Sequence, residues 1–227
     1  MEVAKALLEA QADVNGRDYH GWSALHFACR GGNRGIVSLL LGHKASLLLT
    51  ADQKTALMLA AAGSHADIVE MLCAEVAVKQ TIQEPDIHGQ VALHHACRNG
   101  SEKIVKQVIS SRGKVHTRDS EGRQPLHIAS ESGALKVVKY LIQRGSKINM
   151  PDSVNRTPLH FACSAGHETV SSWLVSQKAN PDKKSLEGVT PFDLAVEKGL
   201  LRLVKEVARL HWDRDMSNRL AEEQPDD

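Results

Sequence analysis

The chain has 227 residues, 42% of them hydrophobic but only 4% aromatic, so it can bury a substantial core built from Leu, Val, Ile and Ala. That composition suits short close-packed helices better than a β-sandwich, and an all-α fold is expected. Twenty-eight basic against 27 acidic residues give a formal net charge of +1, which excludes a global field drawing the chain to nucleic acid or to an anionic membrane.

Residues 1–15 carry one apolar segment, Val3-Ala4-Lys5-Ala6-Leu7-Leu8, with the pattern of a single helix. A longer unit follows at 18–50, containing Ala24-Leu25-His26-Phe27-Ala28, and its motif returns along the chain. It reappears as Ala92-Leu93-His94-His95-Ala96, Pro125-Leu126-His127-Ile128-Ala129 and Pro158-Leu159-His160-Phe161-Ala162. Two weaker copies, Ala56-Leu57-Met58-Leu59-Ala60 and Pro191-Phe192-Asp193-Leu194-Ala195, complete the series. The key apolar residue falls at 25, 57, 93, 126, 159 and 192, at intervals of 32, 36, 33, 33 and 33. Six units result, at 18–50, 51–82, 86–118, 119–151, 152–184 and 185–210, within one domain over 16–210.

The fifth unit displays the local logic. Asp152 to Asn155 forms a tight turn in which Asn155 tolerates positive φ, as Gly21, Gly89, Gly122 and Gly188 do in theirs. Thr157 caps a helix beginning at Pro158, where the missing N–H costs nothing, and running to about Ala165. A second helix places Val170, Trp173, Leu174 and Val175 on its apolar side. Helices this short are marginal alone, so stacking must supply the burial. Cys29, Ala61, Cys97, Ser130, Cys163 and Val196 share one unit position and are expected to pack between first helices, which makes the cysteines packing residues.

The 36-residue interval predicts a protruding loop near Val76 to Pro85, with Lys79 to Glu84 as a secondary contact. Leu200, Leu203, Val204 and Val207 should close the stack, and 211–227 is expected to be a disordered tail with an acidic end. No apolar run approaches the ~18 residues needed to span a bilayer. No secretory signal is recognisable, and the four cysteines include no CxxC pair. A cytoplasmic or nuclear monomer without cofactor or metal is expected. Phosphate-loop, HExxH and GxSxG motifs are absent, so no catalytic reading is supported.

The spacing and the Pro-Leu-His-x-Ala core resemble the ankyrin-repeat family over almost the whole chain. The resemblance implies an all-α solenoid of helix-turn-helix units with β-turn tips, in which residues 1–15 are a half repeat. It also implies that His26, His94, His127 and His160 are structural, tying helix starts to neighbouring turns. The fourth copy with Gly133-Ala134-Leu135-Lys136 is similar to gankyrin-type proteasome assembly chaperones, which makes a proteasomal ATPase one candidate partner.

The family's variable positions imply a non-catalytic scaffold or adaptor, or the recognition module of a larger protein, binding another protein through a concave face. No small-molecule substrate is implied. Those positions are Tyr19, His20, Trp22 and Arg30 in the first copy, Asp52 and Lys54 in the second, and Ile87, His88, Gln90, Arg98 and Asn99 in the third. The later copies supply Ser120, Glu121, Arg123, Glu131, Val154, Arg156, Glu187, Val189, Glu197 and Lys198. Trp22 with Tyr19 reads as a hot spot, and Arg30, Lys54, Arg98, Arg123 and Arg156 as a basic series over the first five copies, with acidic Glu131, Glu187 and Glu197 towards the C-terminal end, so that the face reads as bipolar.

Overall fold

A computed structural model describes residues 1–47 and 52–222, without the side chains of 214, 215 and 217–222. The junction of the first two units near 50 and the acidic end at 223–227 lie outside the described residues.

After α1 (Glu2–Glu9), each unit contributes a seven-residue inner helix and, in the first five, a nine-residue outer helix. The pairs are α2 (Ala24–Arg30) with α3 (Arg34–Gly42), and α4 (Ala56–Ala62) with α5 (Ala66–Ala74), followed by a short α6 (Val76–Thr81). Next come α7 (Ala92–Arg98) with α8 (Glu102–Ser110), α9 (Pro125–Glu131) with α10 (Leu135–Gln143), and α11 (Pro158–Ser164) with α12 (Glu168–Ser176). The last pair is α13 (Pro191–Glu197) with the longer α14 (Leu201–Glu222). Inner helices stack in chain order from α2 to α13 and outer helices from α3 to α14, so each unit touches its neighbours and little else. Among the described residues the only β pairing is an isolated bridge between Arg17 and Ser23, and the fold is all-α.

The inner helices start where the preceding residue is extended and its N–H is taken by the third helical side chain. Nδ1 of His26, His94, His127 and His160 accepts the N–H of Ser23, Val91, Gln124 and Thr157 at 2.9–3.2 Å. Asp193 does the same for Thr190 at 2.8 Å. This is a capping box with imidazole or carboxylate as the reciprocal acceptor. Inner helices end against the next unit: Nε2 of His65 lies 3.0 Å from the Arg30 carbonyl oxygen, and that of His167 lies 2.8 Å from Glu131 O. Gly133 has φ of 69°, and a Cβ there would lie 2.6 Å from the His167 ring, so glycine serves both the turn and the contact.

The core is one continuous ribbon, with Leu25, Leu57, Leu93, Leu126 and Leu159 buried between the two helix layers. Cys29, Ala61, Cys97, Ser130 and Cys163 are fully buried between inner helices, as their shared position predicts. Val196 is not: it is 54% exposed, because α13 has an inner neighbour on one side only.

Two further expectations are corrected. The extra residues near 76–85 form α6 instead of a projecting loop, because Val78 and Ile82, one turn apart, seat into the core while Lys79 and Glu84 stay exposed. The stack does not end at 210 either. His211 Nε2 lies 2.9 Å from Asp182 Oδ1 and its ring packs against Phe192, so α14 continues as helix through 211–222. At the other end, α1 buries none of its residues and leaves Val3 and Leu7 exposed.

Candidate protein-binding face

Four of the turn tips are each built by one carboxylate. Oδ1 of Asp18, Asp86, Asp119 and Asp152 accepts the N–H groups two and four residues ahead, at 2.7–3.0 Å, folding the chain over itself. Positive φ falls where it was expected, at Gly21, Gly89, Gly122, Gly188 and at Asn155 with φ of 65°. Backbone bonds then string tip to tip: Ile87 N to Asp52 O, Ser120 N to His88 O, Ser153 N to Glu121 O and Leu186 N to Val154 O, at 2.9–3.3 Å. The result is a stiff comb, with the inner helices forming the floor behind it.

On this comb Tyr19 is 91% exposed, with its ring 3.9 Å from that of His20, and Ile87, His88, Glu121, Glu187 and Glu197 also face solvent. Leu186, 73% exposed, shares the tip position of Tyr19 and Ile87; it was missed by the sequence reading although its register in the repeat marks it. Trp22 is half-buried, packed on Phe27 at 5.1 Å between centroids and covered by Arg30 at 5.4 Å. It therefore joins local packing to a surface position.

Four predicted contact residues are committed within the stack. Gln90 is buried, donating to Asp119 and accepting from the exposed Arg98 at 3.2 Å. Asn99 donates its amide to the carbonyls of Ala61 and Ala62 at the end of α4. Arg123 and Arg156 each bring Nε and Nη2 onto Oδ2 of the turn carboxylate four residues earlier, at 2.9 Å to Asp119 and at 2.8 and 2.9 Å to Asp152. The basic series so reduces to Arg30, Lys54 and Arg98, with Lys54 also 3.6 Å from Asp52.

Two concavities among the described residues lie on this face. One of about 570 Å³ is lined by Trp22, Arg30, Asp52, Lys54, Met58 and His95 in the first three units. The other, of about 510 Å³, is lined by Glu131, Arg156, Phe161, Glu187, Leu194 and Glu197 in the last three. Because Arg156 is neutralised by Asp152, the second is an acidic pocket with an aromatic wall. Cations of the first three units and carboxylates of the last three so line separate pockets.

The buried titratable groups belong to the scaffold. Burial pushes His94 and His127 down to about 4, and drives the thiols of Cys29 and Cys163 up to about 12 and 11, so all four groups are neutral at neutral pH. Among the described residues no three His, Cys, Asp or Glu side chains come together as a metal site, and no helix is long and apolar enough to cross a membrane.

A stack of helix pairs with a stiff comb of tips and a concave floor defines a repeat-built interaction module. The family model for ankyrin repeats (3 copies) matches residues 1–83, 74–152 and 149–216, and the chain belongs to the ankyrin-repeat family. Over 107 residues, 47% of the chain, it is 33% identical to the transient receptor potential cation channel subfamily A member 1 of Homo sapiens, covering 10% of that protein. Over 107 residues, again 47% of the chain, it is 30% identical to the tyrosine-protein kinase HTK16 of Hydra vulgaris, covering 14% of it. The chain thus spans a small part of these relatives. Ankyrin repeats are generally protein-interaction modules, and the fold is one that typically carries no catalysis.

Proposed function

We propose that the chain binds a partner protein along its concave face, as a scaffold or adaptor without catalytic activity. The observation that carries this reading is the pair of pockets of opposite charge balance on one face, one setting Arg30 and Lys54 beside Trp22 against the single carboxylate of Asp52, and the other holding Glu131, Glu187 and Glu197. A partner segment that is acidic at one end and basic at the other fits this arrangement in a single direction, so charge sets register as well as attraction. Exposed Tyr19, Ile87, Val154 and Leu186 supply apolar contacts along the tips.

The test is affinity capture with two charge-reversal variants, Arg30→Glu with Lys54→Glu, and Glu187→Lys with Glu197→Lys. Each pair should weaken capture of the same partner about a hundredfold while the far-ultraviolet circular dichroism is unchanged. Undiminished capture by both folded variants would remove the concave face from the account.

A second reading, that the chain acts as the recognition module of a larger protein, is favoured by the relatives, of which it covers only 10% and 14%. It leaves the binding face the same and changes what the captured partner is brought to.

A further inference from the structure

The edge opposite the tips, where each outer helix runs into the next unit, is held by its own side-chain ladder. Ten residues before the key apolar position, Asn15, Gln83 and Asn149 reach across to the following unit. Asn15 Oδ1 accepts the Ser46 N–H at 2.6 Å, and Gln83 donates to the Arg112 carbonyl at 3.1 Å and accepts from the Thr117 hydroxyl at 3.0 Å. Asn149 donates to Lys178 O at 3.2 Å and accepts from Asn180 N at 2.8 Å. Asp182 makes the last rung to His211, while the position is apolar Leu47 between the first and second units and His116 between the third and fourth, where among the described residues the ring makes no such bond to the facing loop at 145–147.

A concavity of about 540 Å³ opens at this missing rung, lined by Ile109, Lys114, His116, Thr117 and Arg144 and by no carboxylate. The Arg144 guanidinium rests 4.9 Å from the Tyr140 ring centroid, which orients a cation without neutralising it. Among the described residues, neither Lys114 nor Arg144 forms an ion pair, in contrast to the pairs that neutralise Arg123 and Arg156 on the other edge. Lys114, His116 and Arg144, from two units, therefore line one space that holds no carboxylate.

We propose that the break in this ladder is a binding site for a phosphate-bearing anion, held by Lys114, His116 and Arg144. A phosphate group matches the site because it offers several acceptor oxygens and a multiple charge to a guanidinium, an ammonium and an imidazole. The anion replaces the absent side-chain rung and so ties the third unit to the fourth. The site is separate from the concave face and does not depend on what binds there.

The test is a two-dimensional amide NMR titration of the full chain with pyrophosphate, beside sedimentation with phosphatidylcholine vesicles doped with phosphatidylinositol phosphate. Saturable shifts confined to residues near 113–117 and 144–147 are expected, and Arg144→Gln should weaken them about tenfold or more. His116→Asn, which rebuilds the rung, should also weaken binding while leaving the thermal midpoint equal or higher, so loss of binding is separated from loss of fold. Response to pyrophosphate alone assigns a soluble phosphate compound, whereas vesicle binding lost in the same variants assigns a lipid headgroup. No saturable response to either probe, or a response unchanged by both substitutions, overturns the proposal.

Discussion

Nε2 of His94 lies 3.2 Å from the carbonyl oxygen of Arg123, one unit further along, while Nδ1 of the same ring accepts the N–H of Val91. An acceptor role for Nδ1 requires the proton on Nε2, so the tautomer is set by the capping bond and the donated bond ties the two units together. His160 repeats the arrangement with Thr157 and Val189.

This arrangement predicts acid sensitivity. Burial holds His94 and His127 at about 4 in the folded chain, against an ordinary value of 6.5, so in the interval between them only the unfolded state takes up protons. Stability should be fully present above pH 6.5 and fall as pH drops from 6.5 towards 4, by roughly 3 kcal/mol for each ring. Urea midpoints across that window measure the effect. A flat profile would contradict the buried, neutral assignment.

Arg123→Ala should act on folding. The Arg123 side chain is 15% exposed and the Asp119 side chain 0%; burial by itself would raise the Asp119 carboxyl, but the bonds from Arg123 hold it below its ordinary value. Removing the guanidinium takes the counter-charge from a buried carboxylate that keeps its bonds from two backbone N–H groups and Gln90, at a cost of about 1.5–3 kcal/mol in urea unfolding. Lys136→Ala, on the exposed side of α10, should stay within ~0.5 kcal/mol. Similar small effects for both would show that the pair is dispensable.

The buried thiols should react only when the stack opens. Cys29, Cys97 and Cys163 sit between inner helices with burial raising each thiol, so alkylation rates at neutral pH should follow the unfolding equilibrium. Adding urea below the midpoint should accelerate labelling in step with the unfolded fraction. Rapid labelling of the native chain would place at least one thiol at the surface. Cys163→Ala should cost about 1 to 3 kcal/mol of stability and leave partner choice unchanged.

Hydrogen exchange should be slowest around Leu93, Leu126 and Leu159, whose units have neighbours on both sides, and faster in α1, which buries no residue, and in α14 beyond His211. Uniform protection along the chain would contradict nearest-neighbour stacking.

Most of the fold is legible from residues with one local duty. The Leu-His pairs, the turn glycines and Asn155 all stand where backbone geometry or capping admits few alternatives. The site was less legible because exposure depends on partners. Arg123 and Arg156 occupy surface positions by repeat number, yet an aspartate four residues earlier claims each one, a spacing visible in the sequence. Val196 follows the packing position but belongs to the terminal unit, where the neighbour that would cover it is lacking. The helix over Val76–Thr81 was concealed because three extra residues look like a loop until Val78 and Ile82 are seen to share one face.

The concave face is tested most directly by site-specific photo-crosslinking in cell extract, with a photoreactive residue placed singly at Tyr19, Ile87 or Leu186 on the tips and at Lys103 or Lys136 on the outer helices. All five positions are exposed, so labelling reports proximity to a partner and not accessibility. The account predicts that the three tip positions crosslink one common protein, and that Glu187→Lys with Glu197→Lys abolishes the product. Crosslinks to a common protein from Lys103 and Lys136 alone, with none from the tips, would place the partner on the outer helices and contradict it.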